Sequence, residues 1–448
     1  MEAGERMTWA TRFRIREYLR ESLWVVPLLG ALTGVLGALV VVAIDRSVHL
    51  PPQWQYSAST ASTVLSAIVG AMAALTGFVV TVTVLVVQMV TGTFSARCMR
   101  LWYRDRVLKG VLGLLIATLA FSFSLLRRIE TNFVPDIGVT VAGVLVIIGL
   151  VLFMLFFNRF VHRLRPVAVA ADVAQLARGS LGDEVAGLRH IGDVFVGPFE
   201  GIDQQPALAI RCSRPGAIQA VNVPAVVMWA RQHECLVVMR HFVGEFLEVN
   251  DVLIEVYGNP GGADTAERTL RGFVALGIER AIEQDPAFAI RVMVDVANKA
   301  LSAAINDPTT AVQVLNYLGD SLRVIGTADL SGASWHPGAP QRGVVVPFRR
   351  WEDFLALGVT EIREYGSSSI QVMRRMRAML EKLSEHVRPE NRAAVQVEIA
   401  RLDATVARSF SGSIDRDRAG IPDRQGIGGP GRLATVEPAM AHRIPPSP

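Results

Sequence analysis

A short segment in the C-terminal half, SAAINDPTTAV at residues 302–312, places four polar residues around one proline: Asn306, Asp307, Thr309 and Thr310. An aspartate directly before proline is typical of a helix start. Its carboxylate accepts hydrogen bonds from free backbone amides, and proline needs no donor at the first helical position. Asp285-Pro286 repeats this pattern in EQDPAFAIRVMVDVANKAL. The two segments therefore predict two antiparallel helices joined by a short turn.

The same turn could bind an anion. The hydroxyls of Thr309 and Thr310 would lie at the positive end of a helix, and Arg291, Asp295 and Lys299 recur every four residues on the preceding helix. Two interpretations stay open: a capped turn beside a salt-bridged surface, or a surface that binds an anionic ligand or a protein partner. The second gives six candidate residues: Asn306, Asp307, Thr309, Thr310, Arg291 and Asp295. No nucleophile–base pair accompanies them, so we expect no enzymatic activity.

Three residues invite a metal-site interpretation: His233, Cys235 and His241. If 233–241 is one strand, the three side chains share a face, but His241 lies roughly 26 Å beyond His233 at about 3.3 Å per residue. A site with all three ligands would need a bend. We therefore predict no metal and no cofactor.

The first part of the chain has the composition of a membrane-spanning region. Of the 448 residues, 51% are hydrophobic and 19% charged, against about a quarter charged in soluble domains. Four apolar segments reach the roughly 20 residues that cross a bilayer, at about 23–44, 63–90, 108–126 and 137–158.

The three cysteines are too few for a disulfide framework and fit a reducing compartment.

The flanking basic residues predict the orientation. One side carries Arg6, Arg12, Arg14, Arg16, Arg20, Arg97, Arg100, Arg104, Arg106, Lys109, Arg159, Arg163 and Arg165, and the other carries Arg46, Arg127 and Arg128. Positive loops stay inside. We expect a multi-pass protein of the inner cell membrane with both termini cytoplasmic and the lipid bilayer as a partner. No long basic run outside the membrane flanks indicates a nucleic-acid partner.

Small and polar residues within the spans carry two further hypotheses. Gly30 and Gly34, and likewise the row Ser66, Gly70 and Ala74, allow close helix packing within the chain or between subunits of a homo-oligomer. Thr76 and Thr83 could face a pore, although threonine hydroxyls in membrane helices also bond their own backbone.

A basic connector, FSARCMRLWYRDRVLKG at 94–110, joins the second and third spans. Aromatic and cationic side chains together are typical of the membrane interface. The pattern fits simple anchoring, lipid-headgroup binding or a gate coupled to the cytoplasmic domain. The interfacial candidates are Arg97, Arg100, Arg104, Arg106 and Trp102.

The remaining chain predicts a mixed domain. Short alternating stretches with turns at Gly244 and Asn250-Asp251 indicate strands, and helical periodicity follows to about 410. The predicted fold class is a four-span α-helical membrane bundle plus a cytoplasmic α+β domain, made of a small barrel-sandwich-like β-module followed by a helical bundle. We divide the chain into a basic N-terminus (1–22), the spans (23–158), a linker helix (159–190), the β-module (191–260), the helical domain (265–410) and a disordered tail (411–448).

Two motifs carry a resemblance to a known family: FSARCMRLWYRDR at 94–106 and ALSAAINDPTTAVQVLNYL at 300–318. With EQDPAFAIRVMVDVANKAL and EIREYG, they resemble a bacterial family of predicted membrane proteins defined by its sequence. The resemblance covers most of residues 20–410. It implies this architecture and brings no activity with it.

Two functions follow as hypotheses, while a third, a membrane enzyme acting on lipid or cell-envelope material, is not supported by any convergent set of nucleophile, base and oxyanion donors. The first is a homo-oligomeric channel or gated conduit with a cytoplasmic sensory domain. The second is a non-transporting membrane scaffold or regulator whose cytoplasmic helices bind a partner or an anionic ligand.

Overall fold

The computed structural model describes residues 7–48, 51–93, 97, 104–130, 133–163, 165–190, 193–197, 204–328 and 342–429. The chain forms two compact units, which are described separately. The membrane unit is Thr11–Val169, and the α+β unit comprises Met1–Ala10 together with Ala170–Pro448.

Helices dominate the membrane unit. Their bounds are α1 Trp9–Glu21, α2 Val25–Ser47, α3 Ala58–Thr93, α4 Arg106–Leu126 and α5 Asp136–Arg163, with a short 3-10 turn at Pro52–Trp54. Within the described residues, four helices are long and apolar enough to cross a membrane: Val25–Ser47, Pro52–Met89, Arg106–Leu126 and Asp136–Phe160. The four predicted spans are confirmed.

The small residues of α2 pack against α4. A Cβ added at Gly30 would overlap the backbone of Gly113, and one added at Gly34 would overlap the backbone of Ala117. Gly34, Ala38 and Val42 form the buried face of α2 at four-residue spacing. Glycine at these positions therefore lets the two helix backbones touch, as small residues do in membrane bundles.

Within the described residues of the α+β unit, eight strands form two sheets. The strands are β1 Val194–Val196, β2 Leu208–Arg211, β3 Gly216–Val221, β4 Leu236–Met239, β5 Phe246–Leu247, β6 Val252–Tyr257, β7 Val274–Gly277 and β8 Gly343–Val346. The larger sheet has the order β1-β8-β4-β6-β2, and the smaller has the order β5-β3-β7. Strand β8 pairs in parallel with both β1 and β4, whereas all other pairings are antiparallel.

The helices of this unit begin with α6 Pro166–His190. They continue with α7 Val223–Gln232, α8 Ala263–Arg271, α9 Pro286–Ala300, α10 Pro308–Thr327, α11 Trp351–Tyr365, α12 Ile370–His386, α13 Arg392–Ser409 and α14 Ser413–Gly420. A 3-10 turn at Pro389–Asn391 precedes α13. Helix α9 contacts α10 and α11, and α12 contacts α10 and α13.

Two strands, one in each sheet, are buried on both faces. Strand β3 is buried along its whole length, as is β4. Helix α7 presents Val226, Val227 and Trp229 to the same cluster of buried side chains. Burial of both sheet faces explains why these strands lack the alternation of a half-exposed strand.

The fold class is confirmed as membrane helices plus an α+β domain, but the β-module is larger than predicted. The range 191–260 omits β7 and β8, and it contains the helix α7. The four residues of β8 enter the sheet from within the predicted helical domain, 265–410. A four-residue apolar strand with a distant pairing partner leaves little local signal.

The prediction of a disordered tail is wrong for the first part of that segment. Residues 411–448 were expected to be disordered, yet Ser413–Gly420 is helical and residues 421–429 are bonded to α12. Gly- and Pro-rich composition indicates disorder, but here backbone carbonyls of the segment accept hydrogen bonds from arginines. Residues 430–448 lie outside the described residues.

The N-terminal residues belong to the α+β unit. The backbone N–H of Ala10 donates to the carbonyl of Gly272 at 2.9 Å. Ala10 precedes the first span and Gly272 follows the last. This contact requires both residues to lie on the same side of a bilayer, as an even number of spans demands.

Candidate functional site

The INDPTTA turn is a capped helix start. Asp307 is the N-cap of α10 and accepts from the backbone N–H of Thr310 at 3.1 Å, while the Thr310 hydroxyl donates to its other oxygen at 2.5 Å. Asp285 caps α9 in the same way through Phe288. Asn306 adopts a positive φ of 48°, and Thr309 is exposed. The predicted cap chemistry is confirmed at both helices.

Replacing Asp307 with alanine should lower the free energy of unfolding by about 1 kcal/mol, the usual cost of an N-cap. Thermal unfolding of the purified protein measures the change. Thr309→Ala is the matched control, because this exposed neighbour caps nothing and should stay within about 0.5 kcal/mol. Equal effects of the two substitutions would contradict a capping role.

The charged stripe on α9 is occupied by internal ion pairs. The guanidinium of Arg291 donates to Asp295 at 2.7 Å and to both carboxylate oxygens of Glu361 on α11, at 2.5 and 2.7 Å. Asn298 also donates to Glu361 at 2.7 Å. The hydrogen bonds to Glu361 raise the pKa of Arg291 further. Arg291 and Asn298 therefore join α9 to α11, while Asp295 pairs with Arg291 within α9. The use of Arg291 and Asp295 as a ligand surface stays a prediction.

The three residues of the metal hypothesis lie in different elements. His233 ends α7, where its ring stacks on Trp229 with a centroid distance of 4.3 Å. Cys235 is fully buried at the start of β4, and His241 lies 3.0 Å from Glu245. Among the described residues, no group of three or more His, Cys, Asp or Glu side chains could hold a metal ion.

The described part of the basic connector is bonded within the membrane unit. Arg104 forms ion pairs with Glu17 and Glu21 of α1, and Lys109 donates to the Arg20 carbonyl at 2.5 Å. Asp105 caps α4. Arg97 and Arg106 are exposed, whereas the candidates Arg100 and Trp102 lie outside the described residues.

The two pore candidates bond their own helix. The hydroxyl of Thr76 donates to the carbonyl of Met72, and that of Thr83 donates to the carbonyl of Val79, both at 2.7 Å. Both side chains are half-buried. Such bonds lower the cost of placing a hydroxyl in a membrane.

A cavity in the α+β unit is lined by residues that are far apart in the sequence. It has a volume of about 240 Å³ and lies among β3, β4, the start of α9 and the segment after β8. Phe242, Phe348 and Phe354 provide aromatic walls. The guanidinium of Arg349 lies over the Phe242 ring, 4.8 Å from its centroid. Apolar walls with a few polar groups are typical of small-ligand sites.

Asp285 is a buried polar group at the wall of this cavity, whose lining also includes His241, Glu283, Gln284 and Arg349. It is 2% exposed, and its Oδ1 accepts from the Phe288 N–H at 3.0 Å. Its Oδ2 has no hydrogen-bond partner among the described residues. A Cβ at Gly244 would overlap this carboxylate, so the glycine, with φ of 91°, leaves the space that Asp285 fills.

Burial is the main cause of a raised pKa for Asp285, although the Phe288 amide, Arg280 and Arg349 act to lower it. The native state therefore keeps this proton at a pH where the unfolded state has lost it. Stability falls as pH rises from about 4, the ordinary value, through the raised pKa.

Asp285→Asn keeps a capping side chain and removes this titration. The unfolding temperature of the variant relative to the parent should rise as pH increases from about 4. Paired thermal unfolding series across pH measure the difference. Parallel curves would contradict the buried-carboxylate assignment.

Sequence reasoning identified Asp285 only as a helix cap. The other cavity residues come from several separate segments, including β3, α7, β4, the segment 346–349 and α11, and no short motif joins these segments. The available signal was local: PFRR at 347–350 combines an aromatic and two cations after an apolar strand.

The fold and its cavity define a class: an integral membrane protein with four apolar helices and an α+β domain. A family model described as "Predicted membrane protein (DUF2254)" matches residues 20–382. The chain belongs to this family.

Similar proteins occur in mycobacteria. Uncharacterized proteins of Mycobacterium tuberculosis and Mycobacterium bovis are each 28% identical over 421 residues, which covers 90% of this chain and 80% of theirs. No solved structure matches the chain significantly.

Proposed function

We propose that the protein is a membrane-anchored, non-enzymatic regulator whose α+β unit binds a small amphipathic ligand in the cavity around Asp285. One observation carries this proposal: a buried carboxylate oxygen without a hydrogen-bond partner among the described residues lies at the wall of an apolar cavity. Leaving a buried acceptor unmatched costs about 1–3 kcal/mol. A ligand that brings a donor to this wall supplies the partner.

The residues that line the Asp285 cavity indicate which kind of ligand would bind there. Aromatic walls formed by Phe242, Phe348 and Phe354 favour an apolar body. The Asp285 carboxylate favours an ammonium or another hydrogen-bond donor. A volume of about 240 Å³ lies just below the range of about 300–1,000 Å³ for drug-sized ligands. The ligand is thus a small amine-like molecule.

Amine probes and matched acids test the proposal. Phenethylamine and hexylamine should raise the unfolding temperature of the purified full-length protein, and phenylacetate and hexanoate should not. Asp285→Asn should abolish the amine effect. Asp264→Asn makes the same change at an exposed position outside the cavity and should leave it intact. Equal stabilisation by amines and acids, or an unchanged response in Asp285→Asn, would refute the proposal.

The proposed location is the inner membrane with both termini in the cytoplasm. The contact between Ala10 and Gly272 supports a common side for the N-terminus and the domain, and the basic flanks support the cytoplasmic side. Cysteines introduced at two exposed positions, Gln53→Cys and Ala393→Cys, test this in intact cells. An impermeant maleimide should label the first and spare the second, and the reverse pattern would invert the topology.

A homo-oligomeric conduit is the second candidate function. The exposed face of α3 carries Ser66, Gly70 and Ala74, and nothing lies within 4 Å of a Cβ built at Gly70 or Gly77. That face would accept a second copy of the helix. Proteoliposomes should then show ion flux that Gly70→Val reduces. No flux under voltage or tension would reject the conduit.

A further inference from the structure

The end of the described chain is bound to α12. Residues 421–429, which we call the C-terminal strap, give three carbonyls to the buried guanidinium of Arg374: those of Ile421, Gly428 and Gly429, at 2.9–3.2 Å. Arg374 is 6% exposed. The strap also folds on itself, because Asp423 accepts from the backbone N–H groups of Gln425, Gly426 and Gly428. The strap is therefore a fixed structural element.

The strap borders a second cavity, between α10 and α12, with a volume of about 270 Å³. Its lining includes five basic residues: Arg323, Arg375, Lys382, His386 and Arg424. Two acidic residues, Asp320 and Glu385, also line it. Positive charge is therefore in excess within a small volume.

Most of this charge is not neutralised by the protein. Arg323 pairs with Asp320 at 3.0 Å, and Arg178 pairs with the same carboxylate. Within the described part of the chain, Arg375, Lys382 and Arg424 form no ion pair. The nearby carboxylate of Asp423 is occupied by the amides of the strap.

Arg375 is the most constrained of the three. One of its terminal nitrogens donates to the carbonyls of Asp423 and Arg424, at 3.2 and 2.8 Å. Its Nε is buried and has no hydrogen-bond partner among the described residues. Burial lowers the pKa of Arg375, against the opposing effect of Asp423. This partly buried cation is bonded to neutral carbonyls and forms no ion pair within the described residues, although the charge of Asp423 attracts it.

We propose that the cavity between α10, α12 and the C-terminal strap binds a small phosphate-bearing anion through Arg375, Lys382 and Arg424. Guanidinium and ammonium groups are the usual partners of phosphate oxygens. The volume suits a small phosphorylated molecule. The site is separate from the Asp285 cavity and does not depend on the amphipathic ligand proposed there.

Titration calorimetry on the full-length protein in detergent tests the site, with pyrophosphate as the probe. We expect saturable binding that weakens as NaCl is raised, since salt screens charge interactions. Lys382→Gln should weaken binding about tenfold, the loss expected for one charge-assisted hydrogen bond. The double variant Lys382→Gln/Arg424→Gln should lose measurable binding.

Matched controls are available in the same unit. Lys299 and Arg392 are exposed and do not line the cavity, so Lys299→Gln/Arg392→Gln removes the same charge elsewhere and should bind pyrophosphate like the parent. Lys382 and Arg424 are also exposed, and thermal unfolding should show that their substitution leaves the fold intact.

A short-chain lipid tests whether the phosphate group comes from a lipid headgroup or from a free phosphate compound. Dihexanoylphosphatidylglycerol carries a phosphate on a lipid, and we expect it to bind more weakly than pyrophosphate. Absence of pyrophosphate binding, equal loss in the control pair, or binding of the lipid alone would each overturn the proposal.

Discussion

Replacing Glu398 with alanine is expected to lower the free energy of unfolding of the α+β unit by about 3–5 kcal/mol, the cost of breaking a buried ion pair from one side. Glu398 on α13 accepts from Arg363 of α11 at 2.8 Å. The two side chains are 5% and 9% exposed. Removing the carboxylate leaves the Arg363 guanidinium in the core without its main counter-charge.

Chemical or thermal unfolding of the purified protein measures this loss. Arg401→Ala is the control, because Arg401 pairs with the same carboxylate at 2.6 Å but is 56% exposed. Its removal should cost at most about 1 kcal/mol. Arg363→Met combined with Glu398→Leu should recover stability, since an apolar pair often replaces a buried ion pair without loss. Similar losses in Glu398→Ala and Arg401→Ala would contradict the assignment.

Gly34→Val should destabilise the membrane unit by about 3 kcal/mol, at the upper end of the usual cost of overpacking. A Cβ at Gly34 would lie 3.0 Å from the carbonyl carbon of Ala117 and closer still to its oxygen. This obstacle is backbone, so α2 must move away from α4. The lost contact runs along the face formed by Gly34, Ala38 and Val42.

Gly143→Val is the matched control on α5, because nothing lies within 4 Å of a Cβ built there. Unfolding in mixed detergent micelles should show a large loss for Gly34→Val and a near-neutral effect for Gly143→Val. Near-neutral behaviour of Gly34→Val would mean that α2 and α4 do not touch through this face.

Features with a local signature could be predicted from the sequence. The spans follow from apolar length alone, and the caps at Asp285 and Asp307 follow from the Asp-Pro pairs. The cap at Ser369 likewise follows from a serine run before an amphipathic helix. Each depends on residues within one turn of each other.

Features formed by distant residues could not be predicted. The cavity joins Phe242, Asp285 and Arg349, and the sequence neighbours of these residues do not indicate that the three lie together. The prediction of a disordered tail over the strap rests on its Gly- and Pro-rich composition. Its attachment depends on backbone carbonyls that accept hydrogen bonds from Arg374. Amino-acid composition does not predict such bonds, because every residue has a backbone carbonyl.

The position of β8 has a consequence for biosynthesis. This strand lies between β1 and β4, yet it follows β1 by almost 150 residues. While the ribosome translates the residues between β4 and β8, strands β1 and β4 are already present, but β8, which pairs with both, has not yet been made. Unpaired strand edges invite pairing with other chains. The emerging polypeptide must keep these edges apart until residue 346 has left the exit tunnel.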